Sequence, residues 1–404
     1  MITFAQVEEA RDRLRGALPK TPCVFSEALS ELTGCRVHFK LENLHRTGSF
    51  KERGALNKLL CLREAHPGMG LVTASAGNHG QAVAFHAFRL GHPCVVVMPV
   101  KTPLVKVGAT RNWGAEVILH GANYEEAMER AREIESERGY FFVHGFDDPE
   151  VVAGQGTLTL ELFEDGVPCD LMLLPIGGGG LIAGNFVALR ALYPKAKMLG
   201  VEPENCPSMS GSIRAGHPVH EQGGASLADG LAVKKVGTLP FSLLAESLDP
   251  ILLVSEDEIA NAIMVLLERE KTMVEGAGAA AFAALLHHEE LRRQWKGRDV
   301  VVPLCGGNID LNILSKIIDL GLAKAGRLGR LRVVVPDQPG SLAGIATAIG
   351  NEGGNILEIF HSRALLGNRV GQVTIDVVVE TRGQDHLDTL LERLAAAGLA
   401  VNIR

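Results

Sequence analysis

The residues best suited to chemistry are one lysine and three glycine-rich turns. Lys51 lies in Thr47-Gly48-Ser49-Phe50-Lys51-Glu52-Arg53-Gly54, after a strand-like run (Arg36 to Glu42) and before a helical pattern at Ala55, Leu56, Leu59 and Leu60. Most lysines in such settings are surface charges. A lysine becomes a Schiff-base nucleophile where a partly desolvated pocket lowers its pKa and frees the neutral amine. Ser75-Ala76-Gly77-Asn78-His79-Gly80 follows a strand and opens a helix. Its N–H groups and the helix dipole behind them suit an anion, although a plain capped helix start reads the same way. Gly177-Gly178-Gly179-Gly180-Leu181 repeats that arrangement. Four glycines let the backbone approach a ligand closely and offer a nest of donors, for which a phosphate is the natural guest. The third turn is Val302-Pro303-Leu304-Cys305-Gly306-Gly307-Asn308, with Cys305 at the carboxyl end of a strand. A buried cysteine is usually a small apolar residue, yet its thiol can also hydrogen-bond weakly to a cofactor ring.

These turns need a frame that gathers strand ends. From residue 36 onward strand-like and helix-like segments alternate: Leu71–Ala74, Cys94–Pro99, Ala115–His120, Asp170–Ile176, Lys197–Glu202, Ile251–Val254 and Asp299–Leu304 read as strands. Continuous apolar strands between helices predict an α/β fold with parallel sheets covered on both faces. Ligands in such folds sit at the carboxyl ends of strands. The uncharged stretch Leu171–Leu189 is broken by Pro175 and the four glycines, so it reads as strand, loop and helix rather than a membrane span. Near residue 325 the pattern changes. Ala325–Arg330 reads as a linker. Strand Leu331–Val335, helix Ser341–Asn351, strands Ile356–Leu365 and Val370–Glu380, helix Asp385–Ala397 and strand Leu399–Ile403 then give a ferredoxin-like βαββαβ unit. The expected domains are therefore 1–325, with a smaller subdomain inserted at about 40–147, and 326–404.

The chain has 404 residues, 46% apolar and only 5% aromatic, which supports an aliphatic core in more than one domain. A net charge of −7 with mixed signs argues against nucleic acid and anionic membrane surfaces as partners. Seven cysteines without a C-x-x-C pair, and no apolar signal core at the N-terminus, suggest a reduced cytoplasmic protein. Thr3 and Gln6 resemble a capping box that opens an amphipathic helix. No cluster has zinc spacing, and no metal is expected. One rival pattern stands: Gly178-Gly179-Gly180-Leu181-Ile182-Ala183 fits G-x-G-x-x-A, with Glu202 about twenty residues on, where a ribose-binding acid belongs. A NAD-dependent dehydrogenase is thus an alternative, though it leaves Lys51 and the Ser75 turn without a role. A non-catalytic amino-acid sensor is a third reading.

Together, S-F-K-x-R-G at Lys51, S-A-G-N-H-G-Q at Asn78, the glycines 177–180 and Cys305-Gly306-Gly307-Asn308 resemble the fold-type II pyridoxal-phosphate enzymes, and among them the threonine/serine dehydratases. The likeness spans roughly residues 1–325. Residues 331–404 resemble an ACT domain, with Asp337-Gln338-Pro339-Gly340-Ser341-Leu342 matching its first turn. The resemblance implies pyridoxal 5'-phosphate as cofactor, held by Lys51, which then acts as base on the substrate Cα. It implies phosphate binding by Gly177, Gly178, Gly179, Gly180 and Leu181. Asn78 would meet the ring's 3-hydroxyl, with the ring stacked near Phe50, and Cys305 would face the ring nitrogen. Ser75, Ala76, Gly77, Asn78 and His79 would hold an amino-acid substrate, the carboxylate falling to Ser75, Gly77 and His79. The implied reaction is deamination of threonine to 2-oxobutanoate and ammonia, with serine a secondary substrate. A serine dehydratase or racemase is the nearer alternative, although Ala76 stands where racemase relatives carry a serine. Glu202-Pro203 matches a family cation site, but Ser208 stands where magnesium-dependent relatives have aspartate. An amino-acid effector, isoleucine or valine, is expected near Gly340 and Asn355. ACT units pair edge to edge, so a homodimer or homotetramer is expected.

Overall fold

Strands that are apolar on both faces set the architecture of the computed structural model, which describes residues 2–248, 250–362 and 370–403. Contacts divide the chain into two units, Met1–Ile309 and Asp310–Arg404. The first unit contains β1 (Cys23–Ser26), β2 (Arg36–Lys40), β3 (Leu71–Ala74), β4 (Cys94–Met98), β5 (Glu116–Leu119), β6 (Phe141–Phe142), β7 (Leu171–Pro175), β8 (Lys197–Pro203), β9 (Leu252–Val254) and β10 (Asp299–Pro303). They form two sheets, β1-β2-β10-β7-β8-β9 and β5-β4-β3-β6. Only β1 against β2 is antiparallel. Every residue of β3, β4 and β7 is buried, as parallel strands with both faces covered require. Because β10 returns from the far end of this unit to lie between β2 and β7, three chain-distant strand ends become neighbours. No helix among the described residues is long and apolar enough to cross a membrane.

The capping box forms: Thr3 N–H donates to Gln6 Oε1, Gln6 N–H donates to Thr3 Oγ1, and the helix runs Phe4–Leu14. Other boundaries differ from the sequence reading for local reasons. β2 stops at Lys40, and Glu42–Leu44 turn into a short 3-10 helix because the buried Glu42 carboxylate reaches inward. The next helix, Lys51–Ala65, starts at the lysine itself. Helix Pro149–Glu164 has no readable amphipathic stripe, since Val151 through Leu162 are all buried. It crosses its neighbours at glycines. A Cβ on Gly154 would lie 2.8 Å from Gly54 Cα, and one on Gly156 would lie 2.6 Å from the Gly184 carbonyl. These close crossings seat the helix that begins at Lys51 and the helix Gly180–Leu192 on one support.

The second unit holds helix Leu311–Lys324, β11 (Leu328–Pro336), helix Ser341–Asn351, β12 (Asn355–Ser362), β13 (Gln372–Glu380), helix Gln384–Ala396 and β14 (Ala400–Ile403). Its sheet is antiparallel, ordered β12-β13-β11-β14, giving the βαββαβ unit. Leu331, Val333, Ile345, Ile349, Ile375 and Leu390 lie in its core. β11 opens at Leu328, so part of the segment read as linker is strand. Residues 363–365 of the strand expected to reach Leu365 lie outside the described residues. Helix Leu311–Lys324 groups with this unit, whereas the sequence places the boundary at its end.

Behind Lys51 sits a fully enclosed charge cluster. Arg53 donates through Nε and Nη2 to both oxygens of Glu42 (2.7 and 2.8 Å), and through Nη1 and Nη2 to both oxygens of Glu161 (2.7 and 2.8 Å). Lys40 Nζ donates to Glu161 Oε2 and to the Thr21 carbonyl, each at 2.6 Å. Two cations face two carboxylates, all buried, and the Arg53 guanidinium holds the Glu42 carboxyl well below the usual range although burial opposes it. Removing one partner of such a cluster strands buried charge. Arg53→Met is therefore expected to destabilise the protein by about 3–5 kcal/mol. A urea-unfolding midpoint equal to that of the parent would contradict this.

Candidate active site

Three loops leave the carboxyl ends of the adjacent strands β2, β10 and β7. The first two are stitched together. Phe50 N–H donates to the Cys305 carbonyl (3.0 Å), Gly307 N–H to the Gly48 carbonyl (2.9 Å) and Asn43 N–H to the Leu304 carbonyl (2.9 Å). Ser49 and Gly306 form an isolated bridge. Gly48 has φ +77, and a Cβ there would lie 2.5 Å from Asn308 Oδ1, so the turn requires glycine. Glu52 accepts the Thr47 N–H and closes the turn from behind. The amine of Lys51 emerges at this seam. It donates to the Gly145 carbonyl (2.8 Å) and lies 5.2 Å from the centre of the Phe50 ring. Part of the side chain is exposed to the cleft, yet protein atoms crowd the amine. Burial lowers its pKa from 10.5 to about 8, against the pull of the Glu275 carboxylate.

The loop after β3 belongs to the other sheet. Ser75 Oγ accepts from Gly77 N–H at 3.2 Å, and helix Asn78–Leu90 begins without a side-chain cap. The N–H groups of Ala76, Asn78 and His79 have no backbone acceptor among the described residues. His79 Nε2 lies 3.0 Å from the Val143 carbonyl, which only accepts, so Nε2 carries the hydrogen and Nδ1 is left a bare acceptor. Burial lowers its pKa to about 3, so the ring is neutral. What His79 offers an anion is its backbone N–H, not its imidazole. Asn78 is bound on both sides: Oδ1 accepts from Asn308 Nδ2 (2.8 Å), and Nδ2 donates to Glu275 Oε1 (2.5 Å).

The glycine loop follows β7. The N–H groups of Gly177, Gly178, Gly179 and Gly180 donate to no backbone carbonyl among the described residues, and the helix Gly180–Leu192 starts without a side-chain cap. Gly178, Gly179 and Gly180 are buried. A Cβ on Gly178 would lie 2.3 Å from the Phe146 ring, and one on Gly180 would lie 2.8 Å from the Phe146 carbonyl. The loop carrying Gly145 and Phe146 thus packs against the glycines and also receives the lysine. Leu181 points into the core and offers only its N–H. Buried, unpaired donors at a helix start fit a phosphate.

Cys305 is buried, its thiol donates to the Pro303 carbonyl at 3.4 Å, and burial pushes its pKa well above the usual thiol range. It is a neutral thiol. The residues present thus match a phosphorylated pyridine aldehyde: an activated amine, a dry nest of N–H groups, an oriented carboxamide and a neutral group at the strand end. Gly145, Phe146 and Glu275 escaped the sequence reading. Gly145 acts through its carbonyl, which no side chain announces. Glu275 left one signal, a lone acid heading an otherwise apolar helix, Gly276–His287. Both Glu202 oxygens are engaged by the helix Ser208–Ala215, accepting from Met209 N–H (2.6 Å), Ser210 N–H (3.0 Å) and Ser210 Oγ (2.6 Å), rather than awaiting a ribose.

Comparison with known proteins agrees with this geometry. Residues 14–306 match the family described as pyridoxal-phosphate dependent enzyme, and residues 329–398 match the ACT domain. An L-threonine ammonia-lyase of Thermotoga maritima is 43% identical over 403 residues, spanning 100% of both chains. A structure of the processed form of threonine deaminase isoform 2 from Solanum lycopersicum is 34% identical with a TM-score of 0.74, covering 78% of this chain and 87% of that one. A serine racemase structure from Dictyostelium discoideum is 35% identical with a TM-score of 0.70, over 76% and 99%. The chain belongs to the pyridoxal-phosphate-dependent enzyme family and carries a C-terminal ACT domain.

Proposed function

We propose that the chain converts L-threonine to 2-oxobutanoate and ammonia, with L-serine giving pyruvate more slowly. Water leaves across Cα–Cβ, and hydrolysis of the resulting imine returns one water, so the net change is loss of ammonia. The single observation that carries the chemistry is Lys51, an amine with lowered pKa beside donors suited to a phosphate. The full-length match to an L-threonine ammonia-lyase, ACT domain included, supports threonine as substrate. When bound, the cofactor supplies the electron sink for the charge left at Cα.

The chain's own groups do the rest. Lys51 holds the cofactor and then takes the Cα proton. A pKa of about 8 keeps both its protonation states accessible near neutral pH. The N–H groups of Gly177 to Gly180 hold the phosphate, with the one on Leu181 behind them. The N–H groups around Ala76 to His79 and the Ser75 hydroxyl receive the substrate carboxylate. Cys305, as a neutral thiol, leaves the ring nitrogen unprotonated, which favours loss of the β-hydroxyl over transamination. Ala76 has no proton to deliver to the opposite face of Cα, which favours elimination over racemisation.

The ACT unit extends the proposal to regulation. Gly340 stands at the head of helix Ser341–Asn351 with φ +95 and open space around it, and Asn355 begins β12, its Nδ2 donating to Glu380 Oε2 at 3.0 Å. Isoleucine or valine would bind there and couple to the catalytic unit. A homodimer or homotetramer in the cytoplasm completes the reading.

Two outcomes follow. Lys51→Ala should fold, bind pyridoxal phosphate only noncovalently and lose ammonia release. In the cofactor-stripped parent the rate of covalent capture should rise with pH, half-maximal near 8 rather than near 10.5, because the neutral amine is the nucleophile. Ammonia release by Lys51→Ala at the parental rate would refute the assignment. For the ACT unit, isoleucine or valine should shift threonine saturation in the parent, and Gly340→Leu should lose that response while keeping its basal rate. Identical curves with and without either amino acid in the parent would count against it.

A further inference from the structure

Glu275 is a buried carboxylate that forms no ion pair within 4 Å among the described residues. It sits inside the site without an assigned task. A directed chain of hydrogen bonds surrounds it. The Thr47 carbonyl only accepts, so Asn308 Nδ2 must face it (2.7 Å). The second hydrogen of that Nδ2 goes to Asn78 Oδ1 (2.8 Å). Asn78 then has to present Nδ2 on its other side, where Glu275 Oε1 accepts at 2.5 Å. Burial raises the Glu275 pKa to about 7, opposed by its bond from Asn78 and by the nearby Asn308 backbone N–H. Its own N–H donates to the Gly306 carbonyl (2.9 Å), and a Cβ on Gly306 would lie 2.2 Å from Oε1, so the glycine leaves room for the carboxylate. No member of this chain can flip alone, because the orientation is set by a main-chain carbonyl at one end.

We propose that Glu275 is a positioning residue: it fixes the carboxamide of Asn78 and, with Asn308, ties that group to the turn carrying Lys51. The hold on the cofactor then depends on Glu275 through Asn78. One hydrogen of Asn78 Nδ2 remains for a ligand, and its direction is set by the other. A glutamine at 275 can still present an oxygen to Asn78, but it loses the charge that strengthens that bond. The charged groups facing Glu275 are Lys51, Asp229 on the turn Asp229–Leu231, and Lys106 on helix Leu104–Asn112, which is itself bridged to Asp229 at 2.5 Å. None of them supplies the bond to Asn78. The proposal rests on Asn78 contacting the cofactor, as read above.

A double-mutant cycle tests it. Pyridoxal-phosphate dissociation constants are measured for the cofactor-stripped parent, Glu275→Gln, Asn78→Ala and the double variant, each checked for parental circular dichroism. Glu275→Gln should weaken binding ~10-fold, and the pH at which the bound cofactor's visible absorbance titrates should fall by about one unit. In the Asn78→Ala background the same substitution should cost less than ~2-fold. Full additivity, or a Glu275→Gln protein with parental affinity and titration, overturns the proposal. An Asn78→Ala protein that binds the cofactor as the parent does overturns instead the contact on which it rests. If Glu275→Gln does not fold, Asn308→Ala releases Asn78 from the opposite side and carries the same expectations, with parental affinity again overturning the proposal.

Discussion

The amine of Lys51 must lose water without gaining a carboxylate partner, and the rest of the site depends on that condition. Lys40, on the adjoining strand, shows the alternative. Its amine is also buried, but the Glu161 carboxylate pairs with it at 2.6 Å. Lys51 donates to the Gly145 carbonyl and lies over the Phe50 ring, with Glu275 acting from a distance. Desolvation without pairing is what brings a lysine within reach of nucleophilic and base chemistry.

That condition explains how labour is divided within one short motif. Thr47 to Gly54 reads as a single signature, yet its residues face different problems. Gly48 makes the positive-φ turn against Asn308. Glu52 closes that turn and lies 3.1 Å from His86. Arg53 anchors the first helical turn in the buried cluster with Glu42 and Glu161. Gly54 lets helix Pro149–Glu164 approach closely. Lys51 is the member left for chemistry. Its neighbours fix its backbone, and its amine is crowded by protein atoms without an ion pair.

Much of this was legible in the sequence, for a physical reason. The roles proposed for Lys51, Asn78, the glycines 177–180 and Cys305 rest on side-chain identity or its absence, and each follows a strand that a periodicity argument finds. The fold class was legible too, because continuous apolar strands such as β4 and β7 read alike in isolation and in place. The illegible parts act through backbone or through burial. Gly145 contributes a carbonyl, which every residue has. Phe146 contributes shape that becomes visible only beside Gly178. Helix Pro149–Glu164 is buried all round, Gln155, Thr157, Thr159 and Glu161 included, so no apolar stripe marks it. Glu275 needed the fold to reveal it, since only the return of β10 beside β2 brings Asn308 and Gly306 to meet it.

The central claim is that Lys51, and no other amine, captures the cofactor at the seam of β2 and β10. Reduction of the cofactor-loaded protein with borohydride, followed by proteolysis and mass spectrometry, measures this directly. The account predicts a pyridoxyl group on the peptide carrying Lys51 and nowhere else. A label on Lys40, Lys106 or another lysine with Lys51 unmodified, or no label on a protein that releases ammonia from threonine, would contradict it.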